Sequence, residues 1–112
     1  MSMKLKAGLA AGLIVAAASV PTQAQDWMIT SKVTFVEATY VPATILFKLD
    51  TDAGTCPAGS LIFWNAGGAS EAIRIANAQA VFSLLVTAKS TGQTVGVYGV
   101  NSGCVASVVT LR

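Results

Sequence analysis

Alternating hydrophobic and polar positions in the first half of the chain predict two β-strands. The segment Ile29–Tyr40 is rich in β-branched and aromatic residues, and its alternation places Ile29, Val33 and Phe35 on one face. The segment Ala43–Asp50 alternates more regularly, which is typical of a strand with one buried face. The predicted buried residues of this second strand are Ile45, Phe47 and Leu49.

A helical period follows in the second half and predicts one amphipathic helix from Ala78 to about Thr91. Asn77 is a good N-cap residue, and Gly92 stands where a C′ glycine commonly ends a helix. The preceding segment Glu71–Ala76 is ambiguous, because Ile73 and Ile75 alternate around a charged residue and allow an extension of the sheet. The predicted apolar face of the helix is Val81, Leu84, Leu85 and Ala88.

Three further strands are predicted at Ser60–Trp64, Thr94–Val100 and Cys104–Leu111. The order is then three strands, one helix and two strands in a single domain. This order is typical of a small five-stranded OB-like Greek-key barrel, in which the helix lies between strands 3 and 4. The alternative is an α+β sheet with one helix packed on a face.

Residues 1–24 have the features of a secretory signal peptide. Lys4 and Lys6 precede an uncharged apolar stretch of about 13 residues, which is too short to span a bilayer. Pro21 and the small residues of Thr22–Ala24 predict cleavage after Ala24. We therefore expect a periplasmic or secreted domain of residues 25–112, with no membrane span after cleavage.

Removal of the leader changes the net charge. The formal net charge of +2 for the whole chain becomes zero for residues 25–112, because their five cationic residues balance five anionic ones. A nucleic-acid surface needs clustered Lys or Arg, so we expect no nucleic-acid partner. The charged residues that remain are Lys32, Lys48, Arg74, Lys89 and Arg112, against Asp26, Glu37, Asp50, Asp52 and Glu71.

The chain carries two cysteines and no histidine. In an oxidising compartment two cysteines usually pair, which predicts a structural disulfide between Cys56 and Cys104. A redox-active pair is the alternative, but such pairs are normally spaced as C-x-x-C. The absence of histidine excludes histidine acid–base chemistry and histidine metal sites.

No catalytic motif accompanies these features, so we expect neither an enzyme nor a cofactor or metal site. Asp50 and Asp52 are predicted to form a turn and to be solvated; a calcium role would require further acidic ligands.

Candidate binding residues are found among the few aromatics. Trp64 and Asn65 end a strand at a glycine-rich loop, where an indole and an amide suit sugar binding. The alternative for Trp64 is a core or subunit-interface tryptophan. Tyr98 lies between Gly96 and Gly99, which admit a ligand or another backbone, or relieve crowding under the helix. Trp27 is predicted to plug the core.

Several segments together carry a resemblance to a known family. They are the signal peptide, Cys56 ahead of Gly59–Trp64, the helix Ala80–Ala88, the step Gly92–Val95 into a strand, and Cys104. Across roughly residues 29–111 the chain resembles small exported OB-fold proteins related to the B subunits of subtilase-cytotoxin-like and pertussis-like toxins.

The resemblance implies a homopentameric ring that binds sialylated glycans, with the helices lining its centre and a toxic A subunit as a further partner. No motif here matches the family's sugar-binding serine motif, and Thr30 and Ser31 in the first strand are only nominal candidates. The sequence thus favours an exported, non-enzymatic binding module. The alternative is a structural or inhibitory protein that binds another envelope protein.

Overall fold

The computed structural model describes residues 25–112, a mostly β domain of five strands in one sheet with a single α-helix. The predicted signal peptide, residues 1–24, lies outside the described residues. The elements are β1 (Trp27–Glu37), β2 (Thr44–Leu49), β3 (Ile62–Asn65), α1 (Glu71–Thr91), β4 (Thr94–Val100), a 3₁₀ turn (Ser102–Cys104) and β5 (Val105–Leu111).

The five strands close into a barrel in the order β1-β2-β3-β5-β4. The long strand β1 makes closure feasible, because its first half pairs with β4 and its second half pairs with β2, both antiparallel. The remaining junction, β3 with β5, is parallel and consists of two residue pairs, Phe63 with Val105 and Trp64 with Ala106.

The barrel interior is the hydrophobic core. The alternation predicted for β2 is confirmed, since Ile45, Phe47 and Leu49 are all buried. Helix α1 packs against the strands with its predicted apolar face, of which Leu85 and Ala88 are fully buried. The helix is held to the barrel by hydrophobic burial, the main favourable term in folding.

The start of the helix differs from the sequence prediction. The helix begins at Glu71, so Glu71–Ala76 is helical and does not extend the sheet. The N-cap is Ser70 and not Asn77, because the Ser70 hydroxyl accepts a hydrogen bond from the Ile73 N–H at 3.2 Å. The predicted end is confirmed. Gly92 adopts the left-handed conformation, with φ 76°, and its N–H donates to the carbonyl of Ala88.

The prediction that Val33 and Phe35 share one face of β1 is wrong, because Val33 is buried and Phe35 is exposed. The β1–β2 register shifts between these residues, which indicates a β-bulge. One extra residue reverses the alternation that follows it. Phe35 is consequently 36% exposed, and the Lys48 Nζ lies 4.8 Å from the centroid of its ring.

The predicted disulfide Cys56–Cys104 is confirmed, with Cα atoms 5.9 Å apart and a sequence separation of 48. It ties the loop after β2 to the turn before β5. Asn101 adds two hydrogen bonds at the same end of the barrel: its Oδ1 accepts from the Thr55 N–H at 2.9 Å, and its own N–H donates to Asp26 Oδ2 at 2.8 Å.

This tied end of the barrel covers Trp27, which is buried in the core as predicted. Its indole ring lies against Gly54 and Gly99, and a side chain at either glycine would collide with it. Gly99 therefore makes room for Trp27, and Gly96 lies beneath the side chains of Thr110 and Arg112. At Gly99 the backbone carbonyl of Val105 also approaches closely, as one of the alternatives for these glycines expected.

Among residues 25–112, no helix is both long and apolar enough to cross a membrane.

Candidate functional site

The candidate site is a cavity of about 500 Å³ at the point where β3 and β5 separate. After the pair Trp64–Ala106, β3 ends at Asn65 and the chain turns towards helix α1, whereas β5 continues to Leu111. The gap between the diverging segments is the β3–β5 notch. Its walls include Trp64, Asn65, Asn77, Val105 and Ser107.

Trp64 is primarily a core residue. It is 7% exposed, belongs to the buried cluster and pairs with Ile45 on β2 and Ala106 on β5. The alternative of a core tryptophan is therefore correct for most of the ring. The same side chain also lines the notch. Trp64 thus offers a ligand a limited apolar wall and no broad stacking surface.

Two amide side chains give the notch its hydrogen-bonding character. The Asn65 Oδ1 accepts from the Thr44 hydroxyl at 3.0 Å, which orients the Asn65 –NH₂ group as a donor. The Asn77 Nδ2 donates to the Gly67 carbonyl at 2.8 Å, which leaves the Asn77 Oδ1 as an acceptor. The notch therefore presents a fixed donor and a fixed acceptor, and none of the residues lining it is charged.

The sequence analysis predicted Asn77 as the N-cap of the helix. In the structure it lies in the second turn of helix α1, and its amide donates to the Gly67 carbonyl. Asn77 therefore stabilises the loop before the helix and also lines the notch. No local signal identifies this role, because the notch combines segments that are far apart in sequence.

Tyr98 lies elsewhere. It is half-buried on β4, between Met28 on β1 and Val108 on β5 in the register of the ladders. Met28 is 64% exposed and Val108 is 41% exposed, so the three side chains form an outward apolar row. Tyr98 does not line the notch, and the structure does not bring it together with Trp64.

Ser31 is also separate from the notch. It is 3% exposed, and its hydroxyl donates to Asp50 Oδ1 at 2.7 Å. Asp50 also accepts from the Lys32 N–H at 3.0 Å. The hydroxyl of Ser31 is thus engaged in a contact between strands, whereas its neighbour Thr30 is exposed opposite Gly96.

The paired aspartates after β2 are exposed, as predicted, and each stabilises its loop. Asp52 Oδ1 accepts from the Ala58 N–H at 2.8 Å, and Asp50 accepts from β1. Within residues 25–112, no cluster of three or more His, Cys, Asp or Glu side chains is arranged to hold a metal ion.

Two surface features were not anticipated from the sequence. A second cavity of about 350 Å³ lies between Ala43, Ala66 and the first turn of α1, where Glu71 and Arg74 contribute charge. Phe35, Leu46 and Phe63, here called the outer patch, lie on the outer face of β1–β3, where Leu46 pairs with Phe63 and Phe35 pairs with Lys48. Leu46 is buried there but is not part of the barrel core.

Comparison with protein-family models, curated proteins and solved structures gives no match to this chain.

Proposed function

We propose that this chain is an exported, non-enzymatic binding module that holds an uncharged, hydroxyl-rich ligand, a glycan residue, in the β3–β5 notch. The OB-like description belongs to the same proposal. It is supported by the closed strand order β1-β2-β3-β5-β4 and by the helix between β3 and β4.

The observation that carries the proposal is the pair of oriented amides. A sugar presents vicinal hydroxyls that donate and accept at once, and the Asn65 –NH₂ group and the Asn77 Oδ1 offer the complementary groups. Trp64 and Val105 add an apolar wall for the C–H face of the ring. A few placed polar groups in an otherwise apolar concavity are typical of small-ligand sites.

The homopentameric ring and the partnership with a toxic A subunit also stay proposals. The outward apolar row of Met28, Tyr98 and Val108 supports association with further copies, because contiguous exposed apolar surface commonly marks interfaces. Native mass spectrometry of the oxidised protein tests the ring. A species of five equal subunits supports it, and a monomer contradicts it.

A glycan array tests the ligand class with variants of the notch. Asn65→Ala and Asn77→Ala each remove one oriented group, and we expect at least a fivefold loss of affinity, which about 1 kcal/mol per hydrogen bond supplies. Gln79→Ala, an exposed amide of α1 outside the notch, is the matched control. Trp64→Phe tests the wall without the large cavity that Trp64→Ala would create in the core.

Absence of any glycan signal, or full binding in both asparagine variants, contradicts the proposal. Circular dichroism of each variant separates a lost contact from a lost fold.

The outer patch supports a second candidate function, the binding of another envelope protein. Phe35 is 36% exposed and Phe63 is half-buried on the outside of the sheet, and Tyr40 is a further exposed aromatic residue. Co-purification of one identified envelope protein, lost in Phe35→Ser and retained in Asn65→Ala, favours this function. The reverse pattern favours the notch.

A further inference from the structure

The N-terminal end of the described chain is fixed beside the notch. The Asp26 N–H donates to the Gly99 carbonyl at 2.9 Å, and Trp27 is buried, so the backbone is anchored from Asp26 onwards. Gln25 is exposed, and its Oε1 accepts a hydrogen bond from the Ser107 hydroxyl at 2.9 Å, a shorter contact than the 3.3 Å from the same hydroxyl to the Tyr98 carbonyl oxygen. Ser107 is itself one of the residues that line the notch.

We propose that Gln25 is a modification site, which cyclises to pyroglutamate once the leader is cleaved after Ala24, and that Ser107 assists the reaction. Cleavage at that bond gives Gln25 a free α-amine. The amine attacks its own side-chain Cδ and closes a five-membered lactam. The N–Cδ bond forms, the Cδ–Nε2 bond breaks, and Nε2 leaves as ammonia with the proton that the amine releases. No oxidant, cofactor or second substrate is required.

The position of Ser107 suits this chemistry. As the amine adds to Cδ, negative charge develops on Oε1, the atom to which Ser107 already donates. A donor placed at the oxygen of a tetrahedral intermediate lowers the barrier to acyl transfer. The same contact holds the amide of Gln25 at the rim of the notch.

Cyclisation also changes the electrostatics of the rim. A free α-amine carries positive charge at neutral pH, whereas a lactam is neutral. The residues lining the notch carry no charge. The lactam therefore adds no charge beside the notch. This modification rests on the proposed export with cleavage after Ala24, and it stands independently of the proposed glycan binding because its readout is a mass.

The first experiment is intact-mass and N-terminal peptide analysis of the exported, oxidised protein. We expect a chain that begins at position 25 and is lighter by one ammonia than the unmodified sequence. A free glutamine amine at position 25, or a chain that begins at another residue, overturns the proposal.

The second experiment measures the role of Ser107. Protein that begins at Gln25 is released from a cleavable N-terminal tag, and loss of ammonia is followed over time by mass. In the folded protein we expect Ser107→Ala to cyclise about fivefold more slowly, the effect of one hydrogen bond, and Ser90→Ala, an exposed helical serine, to match the wild type. In urea the wild type and Ser107→Ala should cyclise equally fast.

Equal or faster cyclisation of folded Ser107→Ala overturns the assistance by Ser107. Gln25→Ala, which retains its amine because it has no side-chain carbonyl to attack, calibrates the N-terminal analysis. Circular dichroism establishes that the variants are folded when the rates are compared.

Discussion

The Ser31 hydroxyl donates to Asp50 Oδ1 at 2.7 Å and so links the middle of β1 to the residue that follows β2. The hydrogen bond from Ser31, and then that from the Lys32 N–H, hold the pKa of Asp50 below its ordinary value of 3.8. Both bonds favour the charged carboxylate. The junction of β1 and β2 is therefore sensitive to acid.

The first prediction concerns pH. Because the pKa of Asp50 is lower in the folded state, its stabilising contribution is complete above the unfolded-state pKa and is lost as the pH falls through the folded-state value. We expect Ser31→Ala to be less stable than the wild type at pH 7, and the difference to narrow below pH 3.8. Urea unfolding of both proteins at pH 7 and below pH 3.8 measures this difference in stability. A gap that stays constant with pH would contradict the assignment, and Ser83→Ala controls for loss of a hydroxyl elsewhere.

The second prediction concerns the disulfide. Joining residues with a sequence separation of 48 restricts the unfolded chain, and we expect the double variant Cys56→Ser, Cys104→Ser to lose roughly 4 kcal/mol of unfolding free energy. Thermal unfolding with and without reductant measures the loss. Reductant should lower the melting temperature of the wild type and leave that of the double variant unchanged. An equal response of both proteins would count against a stabilising bond.

The third prediction concerns the packing of the Trp27 ring against Gly99. A methyl group at Gly99 would press on the Trp27 ring and the Val105 carbonyl oxygen, so we expect Gly99→Ala to destabilise the fold by about 1–3 kcal/mol. Gly67 has open space around it and no positive φ, and Gly67→Ala is the matched control, with a change within about 0.5 kcal/mol. Chemical denaturation measures the unfolding free energy of both variants. Similar losses of stability in the two would show that the Trp27 ring is not tightly packed against Gly99.

The fourth prediction separates the two possible starts of the helix. Ser70→Ala removes the hydroxyl that accepts from the Ile73 N–H and should cost about 1 kcal/mol of stability. Asn77→Ala lies inside the helix, where alanine has the higher intrinsic propensity, and should cost less. No loss of stability in Ser70→Ala would contradict the cap at Ser70, whereas a loss at Asn77 would reflect its hydrogen bond to the Gly67 carbonyl.

The sequence predicted the elements whose signals are local. The alternation of β2 identifies its buried face, and Gly92 marks the end of the helix. Cys56 and Cys104 pair as expected, and the oxidising compartment on which that expectation was based stays a prediction.

The remaining features depend on contacts that no local pattern contains. The β-bulge that turns Phe35 outwards is a property of two paired strands. The alternation of Ile73 and Ile75 around Arg74 obscured the cap at Ser70, which was visible in the sequence. The notch required Asn65, Asn77 and Ser107 to meet from three different elements.

The parallel junction of β3 with β5 is only two residue pairs long, whereas the other ladders are longer. Hydrogen-bonded units open in order of their local stability. Breaking this one junction opens the barrel between β3 and β5 with every other ladder intact, while the Cys56–Cys104 disulfide still ties the loop ahead of β3 to the start of β5. Those amides of Phe63–Asn65 and Val105–Ser107 that donate across this junction should then exchange with deuterium ahead of the amides of β1 and β4. A ligand bound in the notch should slow that exchange, because it contacts both strands.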